Sequence, residues 1–217
     1  SLIIKVMKLG FIFFIISSYP HLMQVLINGF TETAFSAASK SSAIYIFNPA
    51  HIWQFGFDSS VSMLKLAVSY GTANMGMSML YLILGFGTLL LFALIGAEII
   101  LLVVAFYVVS LVALLMIPLG TFYLANNLFT KAIQGVMRVG AMVFALILVI
   151  GVAATVWAQF NLSDITATTS LLAPLGLFFA TLVFWVLAVK LPKLAASAVG
   201  EIGGRVFERN PQVSVNV

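Results

Sequence analysis

MGMSMLYLILGFGTLLLFALIGAEIILLVVAFYVVSLVALLMI, residues 75–117, is a run of 43 residues with one charged side chain, Glu98. As a single helix rising 1.5 Å per residue it reaches about 65 Å, roughly twice the ~30 Å hydrocarbon core of a bilayer. The run must therefore fold back on itself or lie partly along the membrane. Soluble domains rarely carry so much apolar sequence without polar punctuation, so this stretch places the chain in a membrane.

The rest of the 217 residues agree: 63% are hydrophobic and 7% charged, against ~25% charged in an average soluble domain, and the mean hydropathy is +1.19. The absence of cysteine excludes disulfides, thiolate metal sites and thiol nucleophiles. The net charge of +4 is dispersed, with no block of Lys and Arg that would form a nucleic-acid groove. Ser1 rather than Met stands first and opens directly on apolar sequence, which reads as an interior piece of a longer protein.

Two readings of the central run compete. Leu80 to Ala97 and Ile99 to Ile117 are each about one bilayer long, and Gly96-Ala97-Glu98 between them predicts a hairpin with Glu98 at a wet tip. The alternative is one span near Thr88 to Ser110 with Glu98 at mid-bilayer, where insertion scales charge roughly 2.5–3.5 kcal/mol for an acidic group. The hairpin is the more economical expectation.

Outward from the run, residues 1–19 read as a first transmembrane helix carrying Lys5 and Lys8 and stopping at Pro20. Residues 20–74 form a more polar connection, with apolar positions such as Leu22, Val25, Leu26 and Phe30 at helical spacing. That pattern predicts amphipathic helices on the membrane surface or against other subunits. Asn48-Pro49 should interrupt them, because Pro disfavours helical geometry in the preceding residue. Residues 75–217 form the helical membrane core and a short basic tail. In it, Pro118-Leu119-Gly120 ends a helix, and Thr121 to Gln134, holding Asn126, Asn127 and Lys131, reads as a polar connection or re-entrant segment. Val136 to Trp157 and Leu171 to Val189 are two further spans, and Gly200, Gly203 and Gly204 mark a flexible exit from the last.

Lys131 and Arg138 before the first of these spans, with Lys190, Lys193, Arg205 and Arg209 after the second, face the cytoplasm by the positive-inside rule. The Asp164 turn between the spans, without a basic residue, faces outward. Counted backwards through a hairpin, Lys5 and Lys8 then fall on the outer side, against the rule. Either the Ala43 to Phe57 region crosses or re-enters, or the 43-residue run crosses once.

Catalytic signatures are missing: no His-Glu-x-x-His helix, no Gly-x-Ser-x-Gly elbow and no phosphate loop. His21 and His51 stand thirty residues apart and read as interfacial rather than metal-binding. No cofactor, metal or enzymatic activity is expected. Glu98, the one acid within an apolar run, is a candidate pore or interface residue, with a solvated tip as the plainer reading. Pro118, Gly120, Asn126 and Asn127 at the helix break join it as candidates. Lys131 and Arg138, seven residues apart, share a helical face that either snorkels to lipid phosphates or forms a basic ring in an oligomer. The tail residues Lys190, Lys193, Arg205 and Arg209 read as a cytoplasmic anchor.

The order of features resembles the TrbL family of bacterial conjugation proteins, within the wider VirB-type group of polytopic inner-membrane subunits of type IV secretion systems. The resemblance rests on IKVMKLGFIFFIIS at Ile4 to Ser17, NPAHIWQFG at Asn48 to Gly56, and the acid-bearing apolar run closing with IPLGTF at Ile117 to Phe122. It continues in TKAIQGVMRVGAMVFALILVIGVA at Thr130 to Ala153 and KLPKLAASAVGEIGG at Lys190 to Gly204. IPLGTF and LPKLAASAVG are its most specific parts. The resemblance implies a non-enzymatic subunit of the bacterial inner-membrane complex, supporting pilus assembly and the passage of protein or DNA. It also implies assembly as a homo-oligomeric ring and contacts with the pilus base, the secretion ATPases and the core complex. Membrane lipids are further partners, with the translocated protein or DNA bound in transit. Family members are similar in having a further apolar helix upstream and often a long polar tail. The fold expected is all-α and polytopic, with about five apolar helices plus amphipathic interfacial helices. A small-molecule or ion transporter or channel is the alternative function.

Overall fold

The computed structural model describes residues 49–71, 73–119, 126–160 and 171–208, together with Gly10, Phe13, Phe14, Ser17, Ser18, His21, Gln24, Val25, Asn28, Gly29 and Glu32 singly, all eleven helical. Lys5, Lys8, Pro20, Asn48, Gly120, Asp164 and Arg209 lie outside the described residues, as do the side chains of Pro118, Asn126, Asn127 and Arg205. The four helices are α1 (Pro49–Tyr70), α2 (Met75–Leu119), α3 (Asn126–Trp157) and α4 (Leu172–Glu208). Among the described residues there is no strand, so the all-α class stands. Three of the helices, α2, α3 and α4, are long and apolar enough to cross a membrane.

α1 starts at Pro49, as the Asn48-Pro49 pair predicts: proline's fixed φ suits the first helical position, where its missing N–H costs no bond. It ends at Gly71, whose φ of +49° is a left-handed conformation that side-chain-bearing residues avoid. The Gly71 amide donates to the Val68 carbonyl at 3.1 Å, and Ser78 Oγ donates across the turn to the Ala67 carbonyl at 2.8 Å. Tyr70 and Tyr81 stack at 5.6 Å on the two sides of this turn. α1 therefore returns antiparallel along the first half of α2.

The hairpin expected within residues 75–117 does not form, because α2 is one helix of 45 residues. Gly96 explains the misreading. It is a contact position rather than a turn: the Trp53 indole of α1 occupies the space where a side chain at Gly96 would begin. Gly56 of α1 likewise admits Phe92, and the Ser60 carbonyl comes within 3.4 Å of the Cβ position of Gly85. Small residues thus let α1 and α2 approach closely, which substitutes dispersion contact for the hydrophobic drive that a lipid environment removes. Ala97 and Glu98 are sound helix formers, and nothing in the triplet requires a break.

Two other boundaries move. Asn126, Asn127, Lys131 and Gln134 belong to the first turns of α3, not to a separate connection or re-entrant segment. The last span does not end in a flexible exit at Gly200, Gly203 and Gly204: α4 continues to Glu208 with Pro192 inside it. Pro192 is buried, and the helix continues past the hydrogen bond that its ring removes.

One aromatic layer joins all four helices. Trp157 of α3 packs on Phe92 of α2 at 4.7 Å, on Phe184 of α4 at 5.9 Å and on Phe55 of α1 at 6.3 Å, and Phe55 meets Phe92 at 5.7 Å. Contacts away from the layer fix directions. Val109 of α2 faces Gly135 of α3, so these two helices are antiparallel; Phe178 of α4 packs on Gly87 of α2, so α2 and α4 run parallel.

Candidate functional site

The residues singled out in the sequence do not converge on one cavity. Glu98 is half-buried within the length of α2, with Ile95 and Ile99 buried beside it. It is neither at a wet tip nor enclosed. Among the described residues it forms no hydrogen bond and no ion pair. Pro118 is the last residue but one of α2, and Asn126 and Asn127 open α3, so these three bracket a connection rather than line a chamber.

Lys131 and Arg138 are both exposed on α3. Seven residues is nearly two full turns, so they share an outward face. Lys190 and Lys193 are also exposed, but on the body of α4 and not beyond its end; Arg205 belongs to the same helix. These four cations therefore sit on two different helices.

The structure adds features that residue spacing did not reveal. A groove between α1 and α2 is lined by Trp53, Gln54, Phe57, Leu89, Phe92 and Ala93, with Gln54 its one polar side chain. A shallower one along α1 is lined by Val61, Leu64, Lys65 and Val68. Neither gathers the convergent polar groups that hold a small solute. Among the described residues, two buried polar atoms, Ser110 Oγ and Trp157 Nε1, lack hydrogen-bond partners. Two other buried hydroxyls are satisfied locally: Ser60 Oγ donates to the Gly56 carbonyl and Thr181 Oγ1 to the Leu177 carbonyl, each at 2.7 Å. No sequence signal separates Ser110 from Thr181, because both lie in uninterrupted apolar helices. Among the described residues, no three His, Asp or Glu side chains come together as a metal cage.

The site is thus a set of helix faces: an acid on α2 without an ion-pair partner among the described residues, cations on α3 and α4, and apolar surface between them. Exposed Leu90, Leu94, Leu101, Val104, Tyr107, Val108 and Leu111 run along α2 on both sides of Glu98. Such faces suit lipid and neighbouring subunits. No curated protein matches the chain. Residues 1–191 match the family described as TrbL/VirB6 plasmid conjugal transfer protein. With most of its length covered, and with the all-α multi-pass architecture that its apolar helices require, the chain belongs to the TrbL/VirB6 family and is a membrane subunit of a conjugal transfer, type IV secretion apparatus.

Proposed function

We propose that this chain is a structural and channel-forming subunit of the bacterial inner-membrane complex of a type IV secretion system, supporting pilus assembly and the passage of protein or DNA. One observation carries the reading: α2 is about twice as long as a bilayer is thick and keeps apolar residues exposed on both sides of Glu98. A solitary protomer gains nothing from apolar helix surface beyond the hydrocarbon. A ring of copies, or the other subunits of the complex, covers it.

The orientation follows from a single crossing by α2. Lys131 and the α4 cations face the cytoplasm, the Asn74 end of α2 faces outward, and Lys5 and Lys8 return to the cytoplasmic side in accord with the positive-inside rule. Of these, Lys131 and the cations of α4 beyond Lys190 meet the secretion ATPases and anionic lipid. α1 and the residues before it contact the pilus base and the core complex.

The test is conjugation itself. Deletion of the gene abolishes plasmid transfer and pilus formation, and expression of the full-length gene in trans restores both. Unchanged transfer after deletion sinks the reading. Solute uptake by the reconstituted chain alone, abolished by Glu98→Gln, identifies a transporter instead.

A further inference from the structure

We propose that Glu98 of one copy of this chain pairs with Lys190 of the neighbouring copy, an ion pair that joins adjacent protomers. The proposal rests on the ring assembly above and names one of its contacts.

The register of α2 against α4 carries it. Phe92 and Phe184 pack on the same indole, that of Trp157, at 4.7 and 5.9 Å, and so lie in one layer. The two helices run parallel, as the contact of Phe178 with Gly87 requires. Glu98 stands six residues beyond Phe92, and Lys190 stands six residues beyond Phe184. Each is therefore about 9 Å from the aromatic layer on the same side, and each is rotated by about 240° from its core-facing ring. Burial agrees: Lys190 is exposed and Glu98 half-buried. Among the described residues neither has an ion-pair partner within the protomer.

Cyclic symmetry makes equal height decisive. Rotation about an axis along the bundle carries each residue of the next copy around the ring without changing its height. An acid can then meet only a cation at its own level. Val109, opposite Gly135, lies eleven residues beyond Glu98, which places Arg138 about 12 Å past Glu98 and Lys131 further still. Lys65 is displaced the other way, since α1 runs from Gly56 at the Phe92 level toward the Gly71 turn. Lys190 matches the level, with Lys193 one turn on; His51, two residues before Trp53 at the Gly96 level, also lies there but is already engaged in another interaction. Pairing relieves an acid that is otherwise left half-desolvated on an apolar face.

The absence of cysteine makes the test clean. Two differently tagged full-length copies, one Glu98→Cys and one Lys190→Cys, are co-expressed and treated in membranes with a short bis-thiol reagent. A mixed-tag dimer is expected, and none when Glu98→Cys is replaced by Asp58→Cys. On native gels Glu98→Lys and Lys190→Glu each lose the oligomer, and the double reversal regains it. Loss in both single variants without recovery overturns the pairing, as does loss in Lys190→Glu alone, which assigns Lys190 to lipid headgroups. A persistent oligomer in every variant, without the mixed dimer, overturns the pairing and leaves the ring standing. A wild-type chain that migrates as a monomer overturns both.

Discussion

Gly56 of α1 lies against Phe92 of α2 so closely that a Cβ at residue 56 would overlap the phenylalanine's own Cβ and ring. Phe92 is 1% exposed and held by Trp157 and Phe55, so it cannot swing aside. Gly56→Ala must therefore push α1 from α2, which costs about 1–3 kcal/mol by analogy with overpacked cores. Thermal unfolding in detergent should show a lower midpoint. Gly200→Ala is the control: nothing lies within 4 Å of its Cβ position on α4, and it should gain up to ~1 kcal/mol from helix propensity. Equal midpoints for the two variants contradict the close α1–α2 contact.

Trp157 joins four helices, so its truncation acts on all of them. Trp157→Ala should cost about 3–5 kcal/mol. Trp157→Phe should cost less, because it keeps an aromatic ring against Phe92 and Phe184 and removes an indole N–H that has no partner. Chemical denaturation can rank the three proteins. Fluorescence of single-tryptophan variants gives an independent check: Trp157, 3% exposed, should be shielded from a brominated detergent, whereas Trp53, 41% exposed, should be quenched by it.

Ser110 and Thr181 should respond oppositely to loss of their hydroxyls. Thr181 Oγ1 donates to the Leu177 carbonyl, while Ser110 Oγ is buried without a partner. Removing an unsatisfied hydroxyl is neutral or stabilising by up to ~1 kcal/mol. Ser110→Ala should keep or raise the unfolding midpoint. Thr181→Val, close in shape, should lower it slightly.

A single crossing by α2 places its two ends on opposite sides of the membrane. Asn74 and Lys131 are both exposed, close to the start of α2 and the start of α3. Single-cysteine variants Asn74→Cys and Lys131→Cys should react from opposite sides with a membrane-impermeant maleimide. Labelling of both from one side restores the hairpin and rejects a continuous α2.

The helical class, the membrane setting, the start at Pro49, the spans within α3 and α4 and the family were legible in composition, apolar run length and motif order, because each depends on local chemistry. What Gly96 does was not. A glycine beside an alanine and a glutamate reads equally as a turn or as a close contact, and Trp53, more than forty positions earlier, decides between them by filling the space a side chain would need. The ends of α3 and α4 depart from the local pattern for a related reason: a helix accepts polar residues in its first turns and a proline within it, so neither marks a boundary by itself.

Glu98 shows the division most plainly. Local chemistry already shows that one acid stands alone in a run of 43 residues, and so that its placement had to matter, since apolar surroundings penalise a charge. Only the tertiary structure decided that α2 is continuous and half-buries this acid, and that the shared stacking of Phe92 and Phe184 on Trp157 levels it with Lys190. Height along a bundle depends on how separate helices slide against one another. That is set by interdigitating side chains from distant parts of the chain, and no local pattern encodes it.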